Sequence, residues 1–423
     1  MASTSVLTAG NTKPGPWLRL TSLAGAAAIA AVIVTGDWAR LPHYGATLVA
    51  LSLLCAITLG AWLCHRRRTR LVAAATASLL AFLLQIAIGG LVALTDEIGL
   101  VRGLHLGLGG LALLAALLAV RETLSSFAPS PSRVRGDRRW QDYVALTKPR
   151  IMVLLLLTAA AGMLVGERGV PSAGLLAATL GGLALACGGA SALNHVLDRD
   201  IDRHMSRTDR RPVASGRVAP ERALEFGLAL SAFSFVVLAS FANVLAALLA
   251  VFGNLFYVLV YTRWLKRTTT QNIVVGGAAG AVPPVVGWAA ATGNLALPAL
   301  LLFLIVFYWT PPHFWALALL IKRDYEAAGV PMLPVVRGDR ETARSIVRYA
   351  LILVVVTLLP FAANTLGWVY LGAALVLGAT FIGLSVALLR RTTPARARRL
   401  FTFSLAYLAL LFAAMAVDPF VVV

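Results

Sequence analysis

The sequence predicts an all-α integral membrane protein in which a four-helix membrane bundle precedes a nine-helix one. Three observations carry that expectation. The 423 residues are 59% hydrophobic and 13% charged, with a mean hydropathy of +0.83, whereas a water-facing chain is about a quarter charged. Apolar runs of about 20 residues, the length that crosses a bilayer as a helix, recur along the whole chain. The basic residues stand in short clusters between those runs, so the net charge of +19 reads as membrane orientation and not as a nucleic-acid surface.

The runs fall near 18–36, 44–64, 71–94 and 102–120, then near 151–166, 172–193, 222–240, 244–262, 273–291, 297–320, 346–364, 367–389 and 400–418. Between the two series, 121–142 holds Pro129, Pro131, serines and several arginines, the composition of a basic cytoplasmic linker. It divides the chain into a first domain, 1–120, and a second, 143–423. The stretch around Pro283 and Pro284 is a candidate broken helix, which membranes tolerate where neighbours satisfy the freed backbone.

With the N-terminus inside, thirteen crossings leave only Arg40, Arg102 and Arg168 of the 37 basic residues outside, beside Asp37, Asp96, Glu97, Glu167 and Asp418. This asymmetry predicts a multi-pass protein of a cell inner membrane with a cytoplasmic N-terminus. Only Lys13, Lys148, Lys266 and Lys322 are lysines, an arginine excess that fits a GC-rich bacterial genome. The first run lacks a small-residue cleavage site and reads as a retained helix. Cys55, Cys64 and Cys187 form neither a disulfide framework nor a CxxC site and read as apolar packing. A transporter is the competing class, but its paired repeats are not found and the acids cluster at one rim.

The chemistry concentrates in Asn194-His-Val-Leu-Asp198-Arg-Asp-Ile-Asp202, followed by Arg207, Arg210 and Arg211. Spacing i, i+4, i+8 places Asn194, Asp198 and Asp202 on one helical stripe. Two carboxylates about 6 Å apart at an effective dielectric of about 20 repel by roughly 3 kcal/mol, so a compensating charge is required. The neighbouring arginines supply it if the loop is simply solvated. Mg²⁺ supplies it if the oxygens hold a metal and the arginines grip substrate phosphates. The stripe begins where an apolar span ends, where idle polar groups are costly, and a second polar loop, Lys322-Arg323-Asp324-Tyr325-Glu326, leaves a span on the same side.

Four motifs carry a family likeness: Leu146-Thr-Lys-Pro-Arg150, Asn194 to Asp202 with Arg207 and Arg211-Pro212, Tyr308-Trp-Thr-Pro-Pro-His313-Phe-Trp-Ala-Leu317, and Asp324-Tyr325 through Gly329-Val-Pro-Met-Leu-Pro334. From about residue 140 onward the chain resembles the UbiA superfamily of membrane prenyltransferases, and within it the protohaem IX farnesyltransferases, or haem O synthases. The resemblance implies a nine-helix bundle with Mg²⁺ on Asn194, Asp198, Asp202 and Asp324. It implies a diphosphate held by Lys148, Arg150, Arg207, Arg211, Lys322 and Arg323 on the cytoplasmic side. Farnesyl diphosphate and haem B are the implied substrates, and haem O the product for terminal oxidase biogenesis. His313 and Trp315 are the expected haem contacts. The runner-up is a UbiA-type enzyme acting on an aromatic acid or quinone precursor. The second acidic motif departs from the superfamily pattern, with Ala328 four residues after Asp324, which leaves Glu326 or Tyr325 as substitutes.

Of the remaining histidines, His65 opens a His-Arg-Arg-Arg-Thr-Arg cluster and reads as interfacial. His195 and His204 read as phosphate donors or surface residues. His43 and His105 open the second and fourth runs at matched depth, as a bis-imidazole haem site requires. Residues 18–120 also resemble one four-helix half of haem A synthase, implying haem b there and a haem A synthase as partner.

Overall fold

The computed structural model describes residues 14–35, 40–94, 99–124 and 140–421, and every regular element among them is a helix. The first bundle is α1 (Pro16–Thr35), α2 (Arg40–Cys64), α3 (Thr69–Leu94) and α4 (Gly99–Leu124). A short α5 (Trp140–Thr147) leads into α6 (Pro149–Glu167), α7 (Ala173–Leu197), the single turn α8 (Arg199–Asp202) and α9 (Pro220–Phe241). Next, α10 (Val244–Leu255) continues as a π-helix over Phe256–Leu265 and closes with α11 (Lys266–Thr268). The chain ends with α12 (Asn272–Thr292), α13 (Leu297–Leu320), the short α14 (Lys322–Ala327), α15 (Leu333–Ala362), α16 (Trp368–Arg390) and α17 (Pro394–Val421).

Helices stand at all thirteen expected positions, and eleven among the described residues are long and apolar enough to cross a membrane. The protein is an integral membrane protein. Two expectations differ in detail. Helix occupies both ends of the 121–142 stretch, since α4 runs to Leu124 and α5 starts at Trp140; the rest of that linker lies outside the described residues. The α12 helix runs without interruption through Pro283 and Pro284, where the Pro284 carbonyl lies against Gly162 of α6.

Local chemistry fixes the helix starts. Ser172 Oγ accepts from the Leu175 N–H and Asn243 Oδ1 from the Ala246 N–H, and proline opens α6, α9, α13 and α15 where a missing N–H costs nothing. At the start of α16 the buried Asp418 carboxylate of α17 accepts the Gly367 and Tyr370 N–H groups, satisfying donors that a helix N-terminus leaves orphaned.

The first bundle has its own core, with Ile29, Leu54, Phe82 and Ala116 at its centre. In the second, α13 and α15–α17 surround bulky residues such as Ile346, Phe381, Tyr407 and Phe412, while α6, α7, α9, α10 and α12 meet through small ones. Close approach replaces the hydrophobic drive that lipid cannot supply. At Gly162 and Gly287 the α6 and α12 backbones come so near that a Cβ on Gly287 would collide with the Ala159 carbonyl, and one on Gly162 with the Pro284 carbonyl.

The two bundles meet where Leu53 and Ala56 of α2 lie against Ala232 of α9. At one end of this seam His65 is buried, its Nε2 2.6 Å from the equally buried Glu225 Oε1, which also accepts the Gly15 N–H at 3.2 Å. This corrects the interfacial reading of His65: a carboxylate removed from water demands a partner, and the fold delivers one from 160 residues away.

Gly287→Ala should destabilise the protein by about 1–3 kcal/mol, since α6 and α12 must separate. Thermal unfolding in detergent should show a melting point several degrees lower; an unchanged one would contradict the contact.

Candidate active site

One end of the second bundle gathers the start of α6, the end of α7, α8, α11, the start of α12, α14 and the loops between them. The stripe survives folding. Although α7 ends at Leu197, the Asp198 N–H reaches the Asn194 carbonyl at 2.9 Å and the Asp202 N–H the Asp198 carbonyl at 2.8 Å, so helical bonding runs through the junction. Asn194, Asp198 and Asp202 are all buried, Asp198 completely.

A charge network surrounds them, made partly by residues the sequence reading did not single out. Asn194 Nδ2 donates to Asp198 Oδ2 at 2.7 Å and to Thr262 Oγ1 at 3.1 Å, while its Oδ1 accepts from Lys148 Nζ at 2.8 Å. Lys266 Nζ donates to Asp198 Oδ2 at 2.5 Å. Arg211 Nη1 donates to both Asp202 oxygens at 2.9 Å. Arg267 grips the exposed Asp200 with two hydrogen bonds, donates to the Leu197 carbonyl, and sits 3.8 Å from Asp198 Oδ1. Those bonds hold the Asp200 carboxyl down at about 2.

The backbone serves this convergence. Lys148 sits in left-handed backbone, φ 53°, immediately before Pro149, strain of the sort that accumulates at functional sites. Removal from water, and then the Arg211 charge, push its ammonium down to about 7. Thr262 belongs to the π-helical stretch and Lys266 follows it directly; the hydrogen bonds of such a stretch span five residues instead of four, and it marks functional positions more often than chance. Tyr257 and Tyr261 of the same stretch stack at 5.6 Å.

The two polar loops are brought together: Ser206 Oγ–H donates to Asp324 Oδ1 at 2.9 Å. Tyr325 is buried, which raises its phenol to about 12, and Glu326 is exposed. Arg150, Arg207 and Arg323 are exposed at this end. Lys322 is turned away from the stripe, its ammonium pairing with Asp339 at 2.9 Å. Asp200, Ile201, His204, Arg267 and residues 328–330 line a cleft of about 320 Å³ beside it. His204 lies at the surface, as one reading of it had it, but His195 is buried with neither ring nitrogen hydrogen-bonded.

Among the described residues no three acid, His or Cys side chains form a ready metal cage. The donor set nevertheless suits Mg²⁺, which takes only one or two carboxylates when phosphates and water complete its shell. Asp198 Oδ1 is a buried acceptor with no hydrogen-bond donor, Arg267 standing 3.8 Å away as its nearest cation, so a coordination position on it is open to a metal.

Deeper in the bundle, His313 stacks between Trp309, 4.3 Å away at 15°, and Phe401, 4.9 Å away at 24°. Trp315, expected on the same aromatic surface, lies instead edge-on to Tyr349 at 5.3 Å, since two residues along a helix turn a side chain to the opposite face. In the first bundle His105 Nδ1 donates to the Gln85 carbonyl at 2.9 Å; the side chain of His43 lies outside the described residues.

Sequence reasoning missed Thr262, Lys266 and Arg267. The signal was present for Lys266, one of four lysines in the chain, but a basic pair at the end of an apolar run reads first as an orientation signal.

Residues 155–411 match the model of the UbiA prenyltransferase family. The chain belongs to that family. It is 53% identical over 294 residues to a protoheme IX farnesyltransferase of Symbiobacterium thermophilum, covering 69% of this chain and 98% of the relative. Over 410 residues it is 45% identical to one of Roseiflexus castenholzii, covering 91% of this chain and 76% of that one, so this likeness extends into the first bundle. Among solved structures, a study of digeranylgeranylglyceryl phosphate synthase gives a TM-score of 0.56 at 18% identity over 66% of this chain and 98% of that one. A UbiA homolog of Aeropyrum pernix gives 0.51 at 23% over 64% and 98%. Both share the family fold.

Lys266→Met should leave Asp198 as a buried, poorly compensated charge and cost about 3–5 kcal/mol. Adding Asp198→Asn should restore most of the melting temperature without restoring activity. Additive losses in the double variant would show that the pair is not coupled.

Proposed function

We propose that the protein transfers the farnesyl group of farnesyl diphosphate to a vinyl group of haem B, with addition of water, giving haem O. The observation that carries this reading is the buried Lys148–Asn194–Asp198–Lys266 network at the mouth of an apolar bundle. It provides a charged seat for a diphosphate directly above a lipid-like interior for its prenyl tail. The relatives' names supply the acceptor, haem.

In this mechanism Asn194, Asp198, Asp202 and Asp324 would hold Mg²⁺, which when bound neutralises charge developing on the leaving diphosphate. Lys148 and Arg211 are the basic groups that receive that diphosphate, with Arg150, Arg207 and Arg323 at the entrance, so the farnesyl C1–O bond ionises. Lys266 performs two tasks, holding Asp198 in place and supplying positive charge beside the leaving group. The allylic cation is attacked by the haem vinyl, and water adds to the resulting cation beside the ring. The dry interior delays that water until the carbon–carbon bond has formed. No nucleophilic side chain is needed. We place the site on the cytoplasmic side of an inner membrane, following the charge asymmetry.

The deciding experiment offers the purified protein farnesyl diphosphate with either haem B or 4-hydroxybenzoate. Haem O should form with the first, and prenylation of the second alone would transfer the assignment to another branch of the family. Asp198→Ala should reduce turnover at least a hundredfold while the protein remains folded by circular dichroism; near-normal turnover at saturating Mg²⁺ would exclude the metal assignment.

A second reading concerns 1–120 as a separate domain that binds haem b through His43 and His105 and hands haem to a haem A synthase. Its support is the His105 ring: a carbonyl accepts only, so Nδ1 carries the proton and Nε2 is the basic nitrogen. A Soret band should be present in the purified protein and weaken in the His43→Ala, His105→Ala double variant; an identical spectrum removes the site.

A further inference from the structure

We infer that Arg217, through its ion pair with Asp142, is the positioning residue that sets the spacing of Lys148 and Arg211 and thereby the affinity for the prenyl diphosphate; this rests on those two cations receiving the diphosphate. The two stand on different segments. Lys148 follows α5, whereas Arg211 lies in the loop between α8 and α9. Both face the acidic stripe, Lys148 through Asn194 Oδ1 at 2.8 Å and Arg211 through the two Asp202 oxygens at 2.9 Å. Like charges brought together in this way repel, and after burial it is the Arg211 charge that most depresses the Lys148 ammonium. A seat made from these two cations needs a brace that holds their segments together before a substrate anion arrives.

Arg217 supplies that brace with three hydrogen bonds from one planar fork. Its Nε donates to Asp142 Oδ1 at 2.9 Å, Nη1 to Ser215 Oγ at 2.9 Å and Nη2 to the Arg210 carbonyl at 3.0 Å. A lysine ammonium, a single point of charge, cannot span three acceptors arranged in this way. Ser215 passes the constraint on, because its hydroxyl proton goes to the Arg211 carbonyl at 2.8 Å. The Ser215 N–H reaches the same carbonyl at 2.9 Å and the Val218 N–H the Pro212 carbonyl at 2.9 Å, which closes 210–218 into one bonded turn. At the other end of the ion pair, Asp142 is buried on α5. It precedes Lys148 by six residues, and Arg217 follows Arg211 by six. Apolar packing supports the pair: Leu146 of α5 joins Val213 and Val218 of the turn and Val196 of α7 in one buried cluster. The bonds of Arg217 go to Asp142 and to its own turn, so it acts on the diphosphate seat through Lys148 and Arg211 and not by contact.

The test uses the full-length protein in detergent and measures binding of farnesyl diphosphate with Mg²⁺ by calorimetry, inhibition by inorganic pyrophosphate, and the KM for each substrate. Arg217→Met should raise the Kd and KM for farnesyl diphosphate and the inhibition constant for pyrophosphate at least tenfold, while the KM for haem stays within twofold. Arg217→Lys, which keeps the charge and loses the fork, should fall between Arg217→Met and the parent. Asp142→Asn should weaken the same constants, and the Asp142→Asn, Arg217→Met double variant should be no worse than Arg217→Met, since the two residues act as one strut. Melting curves accompany every variant, and where Arg217→Met does not fold, Arg217→Lys and Asp142→Asn decide the question. Unchanged diphosphate affinity in the folded variants, a loss shared equally by both substrates, or losses that multiply in the double variant would overturn the inference while farnesyl transfer itself stands. Failure of the parent protein to bind farnesyl diphosphate would overturn the roles given to Lys148 and Arg211, and this inference with them.

Discussion

The Asp198 carboxylate is completely withdrawn from water at the mouth of a membrane bundle, and the surrounding architecture follows from keeping it charged. Its contact with Lys266 at 2.5 Å is worth roughly 7 kcal/mol of Coulomb attraction at an effective dielectric of about 20. Desolvation costs several kcal/mol for each ion. The pair alone therefore only about breaks even, and the Asn194 amide, itself tied to Lys148 and Thr262, supplies the remaining stabilisation. Segments around 148, 194–202 and 262–267 must arrive at one point for this to work. The close approach of helices at small residues such as Gly162 and Gly287 gives the bundle the compactness that this requires.

The same network fits the proposed chemistry. Cations that neutralise carboxylates in this structure are positioned to share themselves with an incoming diphosphate, so charge compensation is arranged before substrate arrives. Below the rim the polarity falls away, and His313 is held there between two aromatic rings and beside the Ser404 hydroxyl. Charge at the rim above an apolar interior suits a reaction on an anionic, lipid-tailed donor.

The first bundle is not a loose appendage. Besides the apolar seam between α2 and α9, Trp17 of α1 packs on Phe226 and Tyr143, and Glu225 joins His65 and Gly15 to the second bundle. These contacts lie at the same end as the acidic stripe, since α9 begins just beyond the loop that carries Arg211.

Fold class, the position of every long helix and the stripe of Asn194, Asp198 and Asp202 are all legible in the order of the amino acids. These follow from local rules: a helix must bury about twenty apolar residues to cross a bilayer, and residues four apart share a face. The motifs also disclosed the family. Which group compensates which emerges with the packing of the helices. Lys266 for Asp198, His65 for Glu225 and Ser404 for His313 are partners 68, 160 and 91 residues apart. Such pairings depend on how helices rotate and slide against one another. In a chain this apolar, almost every face of a helix is hydrophobic, so hydropathy locates the helices but carries little information about which face meets which neighbour.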